Sequence, residues 1–255
     1  MPTISINGHT IHYITNREIP GDVGKRVVYI HGTGCNGRVF ERHINAIPEH
    51  HALALDLSGH GESSGSGYRG VVDHAHWVAS FIQSMDWEPC VVAGHSMGGG
   101  IAIALAIYFP ELVERLLLID TGARLRVAPA VIDYAKRIAA GGVDKVNNRQ
   151  GFADGTAERT IKDLRAINVN ENPNVTLKDW YADDSCDFLS RVGDIKIPSL
   201  AICGREDQLT PLKYHEYLRD NMPNCKLEII DNAGHWPFVE QPQHFDEIVK
   251  KFLAS

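Results

Sequence analysis

The sequence predicts an α/β protein built on a largely parallel sheet. Short apolar runs recur along its 255 residues and stop at Gly or Asp, and helical stretches fall between them. Runs without polar alternation suit parallel strands covered on both faces. Strand alternating with helix is the arrangement that builds such a sheet.

The elements follow in order. Residues 4–6 and 10–14 are β-branched runs around Asn7-Gly8, the signature of a hairpin. Apolar runs follow at 26–30, before His31-Gly32-Thr33-Gly34, at 52–55 before Asp56, and at 90–93 before Gly94. Three more lie at 116–119 before Asp120, 200–203 before Gly204, and 226–230 before Asp231. A helix is expected over 68–85, where Val71, Ala75, Val78, Phe81 and Ile82 recur near a 3.6-residue period. A Gly- and Ala-rich helix over 97–109 ends before Pro110, as helices do. Helices over 212–221 and 243–253 complete the set. Between Gly122 and Asp187 the alternation lapses. Helical pieces at 129–140, 157–167 and 175–181 are separated by Gly-Gly, Asp-Gly and Asn-Pro breaks. Residues 122–187 are therefore expected to be a helical insertion covering one end of the sheet, with a longer crossover between strands as the alternative, in a core of 1–121 and 188–255.

Composition excludes several classes. Hydrophobic residues make up 44% and charged ones 22%, with a formal charge of −7, which is not the balance of a disordered chain. At this length about 70–75% of the unfolded surface is buried, so one core needs no disulfide staples. A mildly acidic chain lacks the basic stripe that nucleic acid requires. Five widely spaced cysteines with no CxxC pair read as reduced thiols, and the first residues show no secretory pattern, so a cytoplasmic protein is expected. The longest apolar stretch, 101–109, is far short of the ~20 residues that span a bilayer. Monomer and homodimer both remain open.

Gly94-His95-Ser96-Met97-Gly98 carries the chemistry. A strand precedes this Gly-x-Ser-x-Gly and a helix follows at once, a turn that presents the central serine hydroxyl. Serine is a poor nucleophile without a base, and a base working near neutrality points to histidine. Of thirteen histidines, His235 alone after Ser96 lies in a loop following a strand run, at the sheet edge where such folds bind ligands. His215 and His244 lie on helices and are expected at the surface. His74 and His76, two apart on a helix, face different sides and make no metal pair. No cofactor or metal is expected. An acid must orient the histidine. Asp207 opens the loop after 200–203, Asp120 also ends a strand and is the alternative, and Glu206 is a weaker one. The amide of Met97 is one expected oxyanion donor, and Thr33 in the His31-Gly32-Thr33-Gly34 loop is the other. His31 should fix that loop, His95 should pack away from the nucleophile, and Cys35 should be a buried bystander.

Five motifs together resemble the α/β-hydrolase superfamily over nearly the whole chain: His31-Gly32-Thr33-Gly34, Asp56-Leu57-Ser58-Gly59-His60-Gly61-Glu62-Ser63, Gly94-His95-Ser96-Met97-Gly98-Gly99, Gly204-Arg205-Glu206-Asp207 and Gly234-His235-Trp236-Pro237. The order Ser96, Asp207, His235 matches the order of that fold. The resemblance implies an eight-stranded, mostly parallel sheet with a helical cap, and a structural role for the 56–63 turn, including His60. The expected activity is a carboxylesterase acting on small to medium acyl esters, its partner a small-molecule ester. Phe152, Trp180, Tyr181 and Phe188, with Trp236 and Phe238, are expected to line an acyl pocket. Arg124 and Arg126 are more ordinary as surface residues than as carboxylate binders. The same triad also serves carbon–carbon bond hydrolases, lactonases and cofactor-free perhydrolases. A slow-turnover ligand receptor or regulatory protein is the alternative of another class. Serine in the elbow separates this chain from haloalkane dehalogenases, which use aspartate there.

Overall fold

A computed structural model describes residues 2–6, 8–17, 24–142, 149–168 and 170–255. Eight strands form one sheet: β1 (Thr3–Ile6), β2 (His9–Thr15), β3 (Arg26–Ile30), β4 (His51–Leu55), β5 (Cys90–His95), β6 (Val113–Ile119), β7 (Ser199–Gly204) and β8 (Cys225–Ile230). Their spatial order is β1-β2-β4-β3-β5-β6-β7-β8. The first two pairings, β1 with β2 and β2 with β4, are antiparallel, and every other pairing is parallel. Ile6 pairs with His9 across the hairpin, and Gly8 takes φ +81°. Asn7, the other expected turn residue, lies outside the described residues.

Described helices are α1 (Glu41–Ala46), α2 (Val71–Ser84), α3 (Met97–Tyr108), α4 (Pro129–Ala139), α5 (Glu158–Asn168), α6 (Pro173–Ser185), α7 (Leu212–Asn221), α8 (Pro237–Glu240) and α9 (Pro242–Leu253). Alternate strand residues divide the core. Val28, Ile30, Leu53, Val92 and Leu118 pack on one face with α2 and α3 residues such as Phe81 and Ile103. Val27, Tyr29, Ala93, Leu117 and Ile202 pack on the other with Phe40, Phe238 and Phe245. The central strands are covered on both faces, which is why they read as unbroken apolar runs. Helix α3 is buried on nearly every side, so it too is apolar all round. Strand β8 departs from that pattern: Lys226 and Glu228 are exposed because it forms the sheet edge.

Between β6 and β7 the described residues form α4, α5 and α6, with no strand. Arg124 and Asp187 pair across the two ends of this segment as an isolated antiparallel bridge. Helix α6 is longer than the sequence suggested. The Asn-Pro pair that looked like a break is its start: the Asn172 side chain accepts from the Asn174 N–H at 2.9 Å, and Pro173 takes the first turn. No helix is long and apolar enough to cross a membrane among the described residues.

Two expected pocket residues belong to the core instead. Phe238 is fully buried against Phe40, His95 and Phe245. Phe188 is 5% exposed and joins the cluster on the opposite face of the sheet. Phe238→Ala is expected to cost about 3–5 kcal/mol by opening a cavity that close-packed neighbours fill only in part. Urea unfolding of the variant measures it; a cost below 1 kcal/mol would place the ring at a solvent-filled site.

The parallel register aligns the C-terminal strand ends. Ile30 pairs with Gly94, His95 with Ile119, Ile119 with Ile202, and Gly204 with Ile230. The loops leaving β3, β5, β6, β7 and β8 therefore open at one edge of the sheet. They carry Thr33, Ser96, Asp120, Asp207 and His235.

Candidate active site

The chain leaves β5 at His95 and enters α3 at Met97, with only Ser96 between. Ser96 turns at φ 53° and ψ −119°, a positive-φ conformation that costs a non-glycine residue on the order of 1–3 kcal/mol. Glycines make room for the turn. A Cβ at Gly94 would lie 2.1 Å from the Gly98 carbonyl oxygen, and one at Gly98 would lie 2.3 Å from that of Ile30. The Ser96 N–H donates to the Ile119 carbonyl at 3.0 Å, and the Thr121 hydroxyl donates to the Ser96 carbonyl at 2.7 Å. The neighbouring strand thus holds this backbone on both sides.

His235 follows β8 and is 4% exposed. Its N–H donates to the Gly151 carbonyl. Its Nδ1 lies 2.9 Å from Asp207 Oδ2, so Nδ1 carries the proton and Nε2 the free lone pair. Asp207 also accepts from the N–H groups of Leu209 and Thr210 at 2.7 and 3.1 Å, and from the Thr210 hydroxyl at 2.6 Å. Burial works against ionisation of Asp207. The charge and hydrogen bond of His235, with the bonds from Thr210 and Asp120, override it and hold the carboxyl well below the usual range.

Asp120 occupies the same neighbourhood in the opposite state. A ligand-capable oxygen of Asp120, one of Asp207 and a ring nitrogen of His235 all lie within 4.8 Å of one another. Complete burial, and then the charge of Asp207, push Asp120 well above the usual range, against the Gly204 N–H that donates to its Oδ1 at 2.9 Å. Two carboxyls side by side are driven apart: Asp207 is the anion and Asp120 the neutral acid.

Ser96 stands at the same edge of the sheet, at the turn between β5 and α3. His95 Nε2 donates to the His235 carbonyl at 2.8 Å, and the two rings lie 4.8 Å apart. The His95 ring thus packs on the 235–238 segment. A Cβ at Gly32 would lie 3.1 Å from that of Ser96, so the loop after β3 borders the serine. Among the described residues the N–H groups of Thr33 and Met97 donate to no protein acceptor.

The other histidines separate by partner. His31 Nε2 accepts from the Leu57 N–H at 3.0 Å and Nδ1 donates to the Gly32 carbonyl at 2.9 Å, which fixes the loop. His244 is exposed, but His215 corrects the surface expectation. It is fully buried, and its Nε2 accepts from the Thr121 N–H at 2.9 Å, bracing the turn after β6. The 56–63 turn is structural: Asp56 accepts from the Gly37 and Glu62 N–H groups at 2.7 and 3.0 Å and pairs with His12.

Of the remaining expected pocket residues, Phe152 stacks on Trp236 with centroids 6.2 Å apart, and both are half-buried. Trp180 is half-buried. Tyr181 lies under the Arg69 guanidinium at 4.4 Å. Arg124 and Arg126 pair with Asp187 at 2.6 and 3.6 Å. Cys35 is 3% exposed, and burial pushes its thiol far up, so it stays protonated. Asp120, Cys203 and His215 also cluster within metal-binding reach. There, however, His215 Nε2 is taken by an amide, and burial keeps the Cys203 thiol protonated.

Three acids of this site had no signal in the sequence. Glu240 accepts from the N–H groups of Ala153 and Gly234, both at 2.8 Å, and so ties the 149–157 stretch to the His235 loop. Asp179 and Asp183 of α6 bond the loop after β3. Nothing local in sequence marks any of them, because their partners lie on distant loops.

Sheet order, an elbow at Ser96 and an Asp–His pair on adjacent loops define a hydrolase-type site. A profile of the alpha/beta hydrolase family matches residues 27–245, and the chain belongs to that family. A solved thermophilic esterase is 32% identical, with a TM-score of 0.85 over 99% of this chain and 96% of its own. The enol-lactonase of Burkholderia xenovorans superposes with a TM-score of 0.88 over the whole of both chains at 22% identity, a likeness of fold. Among curated proteins, the pimeloyl-acyl-carrier-protein methyl ester esterase of Neisseria meningitidis is 27% identical over 254 residues, covering 92% of this chain and 95% of the relative.

Proposed function

We propose that this chain is a serine carboxylic ester hydrolase acting on small to medium acyl chains through an acyl-enzyme. The observation that carries the reading is the His235–Asp207 bond at 2.9 Å, which leaves Nε2 as the basic nitrogen on the edge that bears Ser96. Ser96 attacks the ester carbonyl while Nε2 takes its proton. The same nitrogen then protonates the leaving alcohol, and water releases the acyl group through it. The free N–H groups of Met97 and Thr33 stabilise the oxyanion, a donor pair in which one member is worth about 10²–10³ in kcat. Residues 122–187 act as the cap. Its Gly151 carbonyl holds the His235 backbone, and Phe152 with Trp236 offers an apolar wall for the acyl chain. Esterase relatives at 32% and 27% identity support ester cleavage over the other chemistries of the triad.

A panel of aryl esters, lactones and diketones across acyl lengths tests the substrate class. Esters of short to medium acyl chains should turn over fastest, at the 1–10³ per second common to enzymes. Turnover of every ester below roughly one per minute, far under that range, would overturn the enzyme reading in favour of a receptor, and faster diketone cleavage would favour carbon–carbon bond hydrolysis.

A further inference from the structure

Helix α6 lies directly on the loop after β3. Thr176, Asp179 and Asp183 form one stripe at helical spacing, and all three meet that loop. A Cβ at Gly34 would lie 3.0 Å from Thr176 Cγ2. The Gly34 N–H donates to Asp179 Oδ2 at 2.9 Å, and the Thr33 hydroxyl donates to Asp183 Oδ2 at 2.5 Å. Asp179 Oδ2 also lies 2.8 Å from His60 Nε2, with both side chains fully buried. Asp179 Oδ1 and Asp183 Oδ1 are buried and unpartnered.

We propose that Asp179 and Asp183 are positioning residues for the oxyanion loop: the two carboxyls of α6 latch Thr33 and Gly34, so that the Thr33 amide is in register with Ser96 only while the helix is seated. The inference rests on the oxyanion role given to Thr33 above. The two bonds fix the loop on both sides of the Thr33–Gly34 peptide, one through a side chain and one through an N–H. A hydrogen-bond donor displaced by about an ångström forfeits much of its effect on the transition state.

Charge makes the latch sensitive to pH. Burial pushes Asp183 up to about 8; the Thr33 hydroxyl opposes this, and Asp179 and Asp184 add to it. Burial also opposes a charge on His60, but the Asp179 carboxylate outweighs it, with Glu171 and the Ser58 carbonyl helping, and His60 is raised. His74 of α2 is buried nearby and held neutral, pushed down to about 4 by burial. At neutral pH the seated latch therefore holds a neutral Asp183 beside the Asp179–His60 pair, in which the charge of Asp179 raises His60. Above about 8 a second anion appears one helical turn from Asp179, where like charges repel.

The test is steady-state and single-turnover kinetics of a short aryl ester from pH 6 to 10, with organophosphonate labelling of Ser96 and thermal unfolding alongside. Asp179→Ala should lower kcat about 10–100-fold and change KM by no more than about threefold. Wild-type kcat should fall as pH rises through about 8. Asp183→Asn keeps an acceptor for Thr33 but cannot ionise. It should retain most of kcat at pH 7 and lose the alkaline fall. Asp183→Leu, with no acceptor, should lose kcat across the range. Unchanged kcat in a folded, labelled Asp179→Ala or Asp183→Leu overturns the latch. An alkaline fall that persists in Asp183→Asn overturns the Asp183 switch. Failure of Ser96 to label in wild type is a failure of the serine mechanism instead, and is read separately.

Discussion

Ser96→Ala is expected to lower kcat on aryl esters roughly 10⁴–10⁶-fold, the scale on which removal of a nucleophile acting as part of a triad operates. The proton acceptor and the oxyanion donors stay in place, so the residual rate reports what binding and electrostatics contribute without covalent chemistry. The fold should be unaffected, because alanine occupies less space in a turn already cleared by Gly94 and Gly98. An organophosphonate should label wild type at Ser96 and leave the variant unlabelled. Equal activity in Ser96→Ala, or labelling at another residue, removes the serine mechanism.

Asp207→Asn is expected to lower kcat by about 10⁴-fold, since an amide beside Nδ1 favours the wrong tautomer of the histidine. Asp120→Asn should cost less than about tenfold, because a neutral amide replaces an already neutral acid. The reverse ranking would assign the orienting acid to Asp120. Stability against pH separates the same pair. Asp207 is depressed in the folded state, so its contribution is present above the unfolded value, about 3.9, and is lost as pH falls towards its folded value. Asp120 is raised, so its contribution is present below about 3.9 and is lost as pH rises. Asp120→Asn should therefore gain thermal stability over wild type between pH 4 and 7, and Asp207→Asn should not. A Tm difference for Asp120→Asn that is flat over this range would mean that Asp120 is ionised in the folded protein.

Much of the site could be read from the sequence, for a definite reason. Ser96, Asp207 and His235 each stand just past an apolar run, and a parallel sheet sends the ends of such runs to one edge. The order of the strands in space was not needed to see that. Two aromatic rings and one histidine went the other way. Phe188 and Phe238 have the composition of a pocket wall but fill opposite faces of the core. His215, on a helix with polar neighbours, is buried because the Thr121 amide needs an acceptor. Helix α6 looked short because Asn172-Pro173 reads as a break, and with its true length comes the spacing of Asp179 and Asp183.

The sequence by itself determined where strands end, which loops carry chemistry, and which residue types meet there, since hydrophobic period and turn residues are local properties of the chain. The tertiary structure alone decided which of two neighbouring carboxyls is charged, which aromatics see solvent, and which helix holds the loop after β3. Each of these depends on burial and on partners some 85 to 150 residues apart in the chain, as with Asp120 and Asp207 or Thr33 and Asp183, and electrostatic cost is set by that company rather than by neighbours in sequence.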